Sequence, residues 1–372
     1  MAGRYIGLMS GTSLDGVDGV LAHLDGDAVQ VQAHVACAFD PALRQELLAL
    51  NSPGPNELHR AALAGNGVAR AYADVVQRLL QATGLQPADV AAIGAHGQTV
   101  RHQPLAFDGV GYTLQLINPS LLAELVGIDV IADFRSRDLA AGGQGAPLVP
   151  AFHQAVFGGD AAALAVLNLG GISNLSVLPG RGHGGAILGF DCGPGNALLD
   201  MWCQRHRGQP YDAGGAWAAS GTVVPGLLAA LCAEPYLALP PPKSTGRDLF
   251  HPGWLDAHLA AWPGLAPADV QATLAAFTAE ACVQAVRRHA PAARRLVVCG
   301  GGAFNDDLMQ RLQAGLPTLA VQSSQGLGLP PQQVEAAAFA WLASRTRERL
   351  SGNLASVTGA RGPRILGATY PA

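Results

Sequence analysis

Short apolar runs typical of β-strands alternate along the chain with longer segments whose apolar residues recur at helical spacing. Residues 57–83 have this spacing, which predicts a helix, and the strand-like run VAAIGAHG follows directly. Helical spacing also appears in three later segments: 273–290, 303–316 and 332–350. Such alternation is typical of an α/β protein.

The segment GLMSGTSLDGVDGV, residues 7–20, is apolar at both ends and rich in glycine and hydroxyl residues between them. This pattern predicts a β-hairpin with a polar tip. Such a tip directs backbone N–H groups and hydroxyls to one point, which suits a phosphate oxygen. An ordinary surface turn is the alternative.

A weak internal similarity links this hairpin to a later segment. MSGTSLDGV, residues 9–17, resembles LGGISNLSV, residues 169–177, with Ser13 matching Ser173. Both place a glycine turn between apolar runs. If the similarity reflects a duplication, the chain has two similar lobes, each presenting a glycine hairpin to a shared cleft.

A second glycine turn follows the apolar run RLVVC, where Gly300, Gly301 and Gly302 precede a predicted helix that Asn305 or Asp306 caps. Consecutive glycines let the backbone approach a ligand closely. This turn lacks the GxGxxG spacing of the dinucleotide fingerprint, and the chain contains no GxxxxGK[ST] P-loop. A sharp turn without ligand is the alternative.

The segment GFDCGPGNALLDMW places Asp191 directly after an apolar strand, with Asn196 as the predicted N-cap of a helix from Ala197. A carboxylate in a glycine-rich loop at the end of a strand has the exposure and mobility that suit a general base. The alternative is an aspartate that only structures its loop.

Two other polar, glycine-rich segments follow strand-like runs and contribute His96, Arg135 and Arg137, which suit an anionic or polyhydroxylated ligand. Each of them alone is more often structural. Glu335 lies in the apolar start of the last long helix, where a carboxylate is uncommon without a partner. A favourable interaction with the helix dipole is the alternative.

Composition narrows the classes of protein that fit. Of 372 residues, 49% are hydrophobic and 13% charged, which predicts a large packed core and most simply two domains. The net charge of −4 and the lack of basic runs argue against nucleic-acid binding. The six cysteines form no CxxC pair, which argues against structural zinc or a disulfide framework. No membrane span or signal peptide is predicted, so we expect a soluble, cytoplasmic protein.

Seven segments, in order along almost the whole chain, resemble the anhydro-N-acetylmuramic acid kinases of the actin-like, hexokinase-like and Hsp70-like ATPase superfamily. They are GLMSGTSLDGVDGVL, GAHGQTVRH, ADFRSRDLAAGGQGAPLVP, LNLGGISNLSVL, GFDCGPGN, VVCGGGAFNDDLM and SVTGARGPRILGATYP. One departure is Cys192, where the family usually has threonine.

The resemblance implies an α/β fold of two RNase H-like lobes around an ATP- and sugar-binding cleft. The first lobe is expected over residues 1–140 and 351–372 and contains the phosphate-binding hairpin. The second, over residues 141–350, contains the catalytic aspartate and an adenosine-binding turn. ATP and Mg²⁺ are the implied cofactors, and a homodimer is the implied assembly.

The resemblance also implies the chemistry and the site. Water activated by Asp191 opens the 1,6-anhydro bridge of the amino sugar while O6 is phosphorylated, which gives N-acetylmuramic acid 6-phosphate in peptidoglycan recycling. Arg135, Glu335 and, more weakly, His96 are implied to hold the sugar, and Asp15 or Asp18 to help hold Mg²⁺. The residues implied to bind ATP are Gly11, Thr12, Ser13, Leu14, Asp15, Gly16, Val17, Asp18, Gly170, Gly171, Gly300, Gly301 and Gly302.

Two other functions stay open at this stage. One is a kinase for another sugar, glycerol or a carboxylic acid with the same ATP-binding lobes. The other is a chaperone-like or filament-forming ATPase of the same superfamily, although the weakly charged, apolar-rich composition favours a compact enzyme.

Overall fold

The computed structural model describes residues 2–11, 14–159, 162–180, 185–246 and 249–372. They form two compact units. The first comprises Met1–Val156 and Gln333–Ala372, and the second comprises Phe157–Gln332. This division differs from the expected boundaries at residues 140 and 350. The later boundary lies before residue 334 because the helix that begins there packs on the sheet of the first unit. The C-terminal residues also lie in the first unit.

The strands and helices follow each other in the alternation that the sequence predicts. The strands are β1 Gly3–Ser10, β2 Gly16–Asp25, β3 Ala28–Ala38, β4 Ala92–Pro104, β5 Gly111–Leu116, β6 Val130–Ala132, β7 Ala163–Leu169, β8 Ile172–Leu178, β9 Leu188–Pro194, β10 Ala293–Cys299, β11 Ala320–Ser323 and β12 Ala368–Tyr370. The helices are α1 Pro41–Ala49, α2 Glu57–Thr83, α3 Pro119–Val126, α4 Ser136–Ala140, α5 Val149–Phe157, α6 Ala197–Arg207, α7 Ala216–Ser220, α8 Pro225–Cys232, α9 Pro235–Ala238, α10 Pro252–Leu259, α11 Pro267–His289, α12 Asp306–Gly315, α13 Val334–Arg347 and α14 Ala355–Thr358.

The two sheets share one arrangement of strands. The first has the order β12-β6-β4-β1-β2-β3, with β5 also paired to β4, and the second has the order β11-β10-β7-β8-β9. In each sheet three consecutive antiparallel strands (β1 to β3, β7 to β9) are followed by two strands parallel to the first of them (β4 and β6, β10 and β11). This is the RNase H-like arrangement, so the predicted fold class is confirmed. The two similar glycine hairpins join the first and second strands of their sheets.

Helix α13 packs closely on the first sheet because two neighbouring strand positions are glycine. Gly7 on β1 pairs with Gly94 on β4. A Cβ on Gly7 would overlap the carbonyl oxygen of Ala336, and one on Gly94 would overlap that of Phe339. The helix therefore lies against bare backbone, with a face of buried alanines turned inward.

The predicted helices and their signals are largely confirmed. The helix expected over 57–83 is α2, and α12 begins after Asn305, whose side chain accepts the backbone N–H of Leu308 at 3.0 Å as a cap. Helix α11 is buried on most of its length in the core of the second unit. None of the helices in the described part of the chain has the length and apolar character that crossing a bilayer requires.

Candidate functional site

The turn between β1 and β2 is held through a backbone carbonyl. The oxygen of Gly11 accepts the N–H of Leu14 at 3.2 Å and Nε2 of Gln98, on β4, at 3.0 Å. Leu14 has φ of 60°, a left-handed conformation that tightens the turn. Thr12 and Ser13 lie outside the described residues. Gln98 supports the turn, although no sequence signal pointed to it.

The two carboxylates of this hairpin have different surroundings. Asp15 is exposed, whereas Oδ1 of Asp18 lies 3.1 Å from Nε2 of His34 on β3. Gly16 begins β2, where a Cβ would overlap the carbonyl oxygen of Cys37. No group of three or more His, Cys, Asp or Glu suited to a metal occurs among the described residues.

His96 lies on β4 in contact with Arg135, and only 4% of the residue is exposed. Nε and Nη2 of Arg135 donate to Nε2 of His96 at 3.1 and 2.9 Å. A nitrogen that accepts carries no proton, so the imidazole is neutral with its proton on Nδ1. Burial, and then the charge of Arg135, hold the pKa of His96 well below its ordinary value. His96 is thus placed to orient Arg135.

A buried carboxylate, Asp138, ties the C-terminal segment to the loop that contacts Arg135. Asp138 is fully buried, and its Oδ1 accepts from Nδ2 of Asn353 at 2.7 Å and from Oγ1 of Thr358 at 2.8 Å. Its Oδ2 accepts the N–H of Gly145 at 2.8 Å. The carbonyl of Gly145 in turn accepts Nη1 of Arg135 at 2.8 Å. The guanidinium is therefore oriented from two sides, by His96 and by this loop.

Glu335 lies in the first turn of α13 and is half-buried. It precedes Ala336, the residue whose carbonyl covers Gly7 of β1. The position near the N-terminus of the helix favours a negative charge. Arg137 is exposed on α4, away from the contacts between Arg135 and His96.

In the second unit, Asp191 lies inside β9, the edge strand of its sheet, and not in a mobile loop. It pairs with Asn174 of β8, whose Nδ2 donates to Oδ1 at 2.9 Å. The backbone N–H of Thr245 donates to Oδ2 at 3.0 Å. The predicted position in a loop is therefore wrong, because the pairing of β9 with β8 continues to Pro194. The carboxylate is half-buried and held by two donors.

A proline-rich segment before α10 closes over Asp191 from its other side. The carbonyl of Lys243 accepts the N–H of Asp191 at 3.1 Å, and the hydroxyl of Tyr236 donates to the carbonyl of Asp191 at 2.9 Å. One feature of the sequence marks this contact, since Lys243 is the only lysine in the chain.

The turn between β7 and β8 meets the start of α6. The carbonyl of Gly170 accepts the N–H of Asn196 at 2.8 Å, and that of Gly171 accepts the N–H of Ala197 at 3.1 Å. Asn196 precedes α6 as expected, but its side chain does not cap the helix. Its Nδ2 instead donates to the carbonyl of Leu169 at 3.1 Å. Asn196 thus fastens the hairpin.

The three glycines after β10 are not equivalent. Gly300 has φ of 78°, and a Cβ there would lie 2.7 Å from the carbonyl oxygen of Leu169. A Cβ on Gly302 would lie 2.5 Å from the Cβ of Leu169. On Gly301 the nearest atom would be Nδ2 of Asn196, at 3.9 Å. Close packing on the end of β7 therefore requires Gly300 and Gly302, whereas Gly301 has space beside it.

The structure thus brings together some of the candidate residues within each unit. In the first, Arg135 contacts His96 directly, and β4 also supplies Gln98 to the hairpin. In the second, Asn196 lies between the β7–β8 hairpin and the glycines at 300–302. Strand β8 of that hairpin contains Asn174, the pairing partner of Asp191.

Comparison with known proteins matches residues 3–372 to a family model described as anhydro-N-acetylmuramic acid kinase. A protein of that name from Variovorax paradoxus (strain S110) is 66% identical over 375 aligned residues, which cover 100% of both chains. Another, from Albidiferax ferrireducens (strain ATCC BAA-621 / DSM 15236 / T118), is 61% identical and is also covered in full. Among solved structures, the activator of the 2-hydroxyisocaproyl-CoA dehydratase from Clostridium difficile with bound ADPNP has a TM-score of 0.46 and 12% identity, covering 93% of this chain and 98% of that chain.

Proposed function

The chain belongs to the anhydro-N-acetylmuramic acid kinase family, and we propose on this basis that it converts 1,6-anhydro-N-acetylmuramic acid, ATP and water to N-acetylmuramic acid 6-phosphate and ADP. In this reaction water adds to C1 of the sugar, the bond from C1 to O6 breaks, and O6 takes the γ-phosphoryl group of ATP. The product belongs to peptidoglycan recycling. The observation that carries the proposal is a carboxylate, Asp191, held by two donors in a chain that matches the family from residue 3 to 372.

We assign the role of general base to Asp191. It takes a proton from the attacking water, and its fixed orientation supports this role because proton transfer requires a base within hydrogen-bond reach of its substrate. Asn174 and Thr245 orient the carboxylate by donating hydrogen bonds to it. Such bonds leave the carboxylate able to accept a proton.

We assign ATP binding to the hairpin from Gly11 to Asp18, to Gly170 and Gly171, and to the turn from Gly300 to Gly302. Two features support this assignment: the hairpin turn is held in place through the carbonyl of Gly11, and there is space beside Gly301. Asp15 or Asp18 would hold Mg²⁺ together with the phosphates. Bound there, the ion would supply positive charge that balances the phosphate oxygens.

We assign sugar binding to Arg135 and Glu335, with His96 acting through Arg135. A guanidinium presents several N–H donors in one plane, which suits the hydroxyl and carboxylate oxygens of a muramic acid. The contacts from His96 and Gly145 fix that plane.

The direct test is to incubate the protein with ATP, Mg²⁺ and 1,6-anhydro-N-acetylmuramic acid and to identify the products by mass spectrometry and NMR. The expected product is a ring-opened 6-phosphate, formed with one ADP per sugar. Glucose, N-acetylglucosamine and glycerol serve as comparison acceptors. Faster phosphorylation of one of these, with no ring opening of the anhydro sugar, would replace the proposal with another small-molecule kinase.

We also propose a cytoplasmic location and a homodimer, both on the family resemblance. The cytoplasm supplies the ATP that the reaction consumes. Sedimentation of the purified protein at micromolar concentration tests the dimer, since a species of 38.1 kDa alone would contradict it.

A further inference from the structure

Lys243 stands out because a buried lysine is uncommon and this one is the only lysine in the chain. It is 8% exposed and lies in a proline-rich segment, beside the proposed base. Burial lowers the pKa of Lys243, while the thiol of Cys192 and the carboxylate of Asp191 act in the opposite direction. Burying an ammonium group costs free energy unless it is well hydrogen-bonded, so its partners explain why it is tolerated.

Those partners anchor the segment to helix α9. Nζ of Lys243 donates to the carbonyls of Tyr236 and Leu237 at 3.2 and 3.0 Å. It also lies 4.6 Å from the ring centre of Tyr236, a cation–π distance. The ammonium group therefore fixes the start of the segment 243–245 against both the backbone and the ring of α9.

The anchored segment is also the one that contacts Asp191. Its first residue accepts the backbone N–H of Asp191, and its last, Thr245, donates a backbone N–H to the carboxylate. Tyr236, which receives the ammonium group of Lys243, donates its hydroxyl to the carbonyl of Asp191. Lys243, Thr245 and Tyr236 thus make three hydrogen bonds with Asp191.

We propose that Lys243 and Tyr236 are positioning residues, which hold the carboxylate of Asp191 in one orientation through the backbone of residues 243–245. This inference rests on the proposed role of Asp191 as the base. Lys243 acts by keeping Thr245 in place.

The test compares Lys243→Met, Lys243→Arg and Tyr236→Phe with Asp191→Asn in the full-length protein. Methionine keeps an unbranched side chain, one atom shorter than that of lysine, but removes the donors, so we expect kcat to fall by about 10²-fold, the loss typical of a small misplacement in an active site. KM for ATP and for the sugar should change by less than about threefold, because the lost contacts do not bind substrate. Lys243→Arg keeps charge and donors and should recover part of kcat.

Arg205→Met is the matched control, since it removes a cation from the ring of Trp202 in the same unit. It should lower kcat by less than about twofold, because Arg205 has no contact with the segment 243–245 among its described hydrogen bonds. Should Lys243→Met not fold, Tyr236→Phe decides, since it removes only the hydroxyl: an unchanged kcat would overturn the proposal.

The two possible failures are distinguishable. If Asp191→Asn is inactive while folded Lys243→Met has normal kcat, the positioning role is wrong and the base assignment stands. If Asp191→Asn has normal turnover, the base assignment itself fails, and the positioning role fails with it. If KM and kcat change together in Lys243→Met with no rescue by arginine, Lys243 supports the fold alone and the proposal is wrong.

Discussion

Arg135 donates from Nε and Nη2 to the same nitrogen, Nε2 of His96, at 3.1 and 2.9 Å. This contact requires a neutral imidazole, because a protonated Nε2 has no lone pair to accept with. The pair therefore joins the orientation of a candidate sugar-binding guanidinium to the protonation state of a buried histidine.

We predict that this histidine makes the free energy of unfolding depend on pH. The pKa of His96 is held well below about 6.5 in the folded protein by burial and then by Arg135, and the same causes lower that of His102 to about 4. Below pH 6.5 the unfolded chain therefore binds protons that the folded chain does not. The free energy of unfolding should therefore show no loss from these histidines above about pH 6.5. It should fall as the pH falls toward 4, by up to about 1.4 kcal/mol per pH unit for each histidine.

His96→Gln tests this, since its amide oxygen still accepts from Arg135 but cannot titrate. In urea unfolding between about pH 5 and 7.5, the free energy of unfolding should change less steeply with pH than in the wild type. The difference should correspond to about one proton fewer bound on unfolding. His59→Gln, at an exposed position on α2, is the control. An unchanged slope in His96→Gln would show that His96 does not contribute.

We predict that Thr358, far from Arg135 in sequence, affects sugar binding. Thr358→Val removes a donor to the buried Asp138, which should cost about 1–3 kcal/mol of stability. The loop through Gly145 then holds Arg135 less well, so KM for the sugar should rise about threefold to tenfold with KM for ATP unchanged. Thr358→Ser keeps the hydroxyl and should behave as wild type. Loss of stability alone, with normal sugar KM, would limit Asp138 to a structural role.

We predict that Gly301→Val folds but binds ATP weakly. The nearest atom to an added Cβ is 3.9 Å away, so the substitution fits the protein, whereas the branched side chain would occupy space that we assign to the nucleotide. Calorimetry should show at least about tenfold weaker ATP binding, a loss of about 1.4 kcal/mol. Gly302→Val is the matched contrast, since its Cβ would overlap Leu169 and should lower the melting temperature. Normal ATP affinity in folded Gly301→Val would remove this turn from the site.

We predict that Asp191→Asn lowers kcat by about 10²–10⁴-fold with little change in KM for ATP. The amide keeps one acceptor but turns an NH₂ group toward Asn174 or Thr245, so one of these hydrogen bonds is also lost. Ring opening and phosphorylation should fail together, because one water attack releases the O6 that is phosphorylated. Product analysis by NMR and ADP release measure the two steps. Near-normal turnover would move the base elsewhere, with Glu335 the first candidate.

The sequence by itself determined the secondary structure that carries the site. Residues 57–83 form the helix that their periodicity predicts, and the hairpin at 7–20 has the strands that its apolar ends predict. The glycine turn at 300–302 and the cap at Asn305 also follow from local sequence. These features depend on side-chain spacing and on backbone freedom within a few residues, which a single sequence records.

Only the tertiary structure decided how the candidate side chains are held. Asp191 is fixed inside a strand by Thr245, 54 residues away, and Asp138 meets Thr358 across 220 residues. Lys243 acquires its place from the burial of its segment against α9. A hydrogen bond between residues so distant in the chain depends on how whole elements pack, and packing minimises the free energy of the entire core. No local pattern therefore distinguishes a fixed carboxylate from a mobile one.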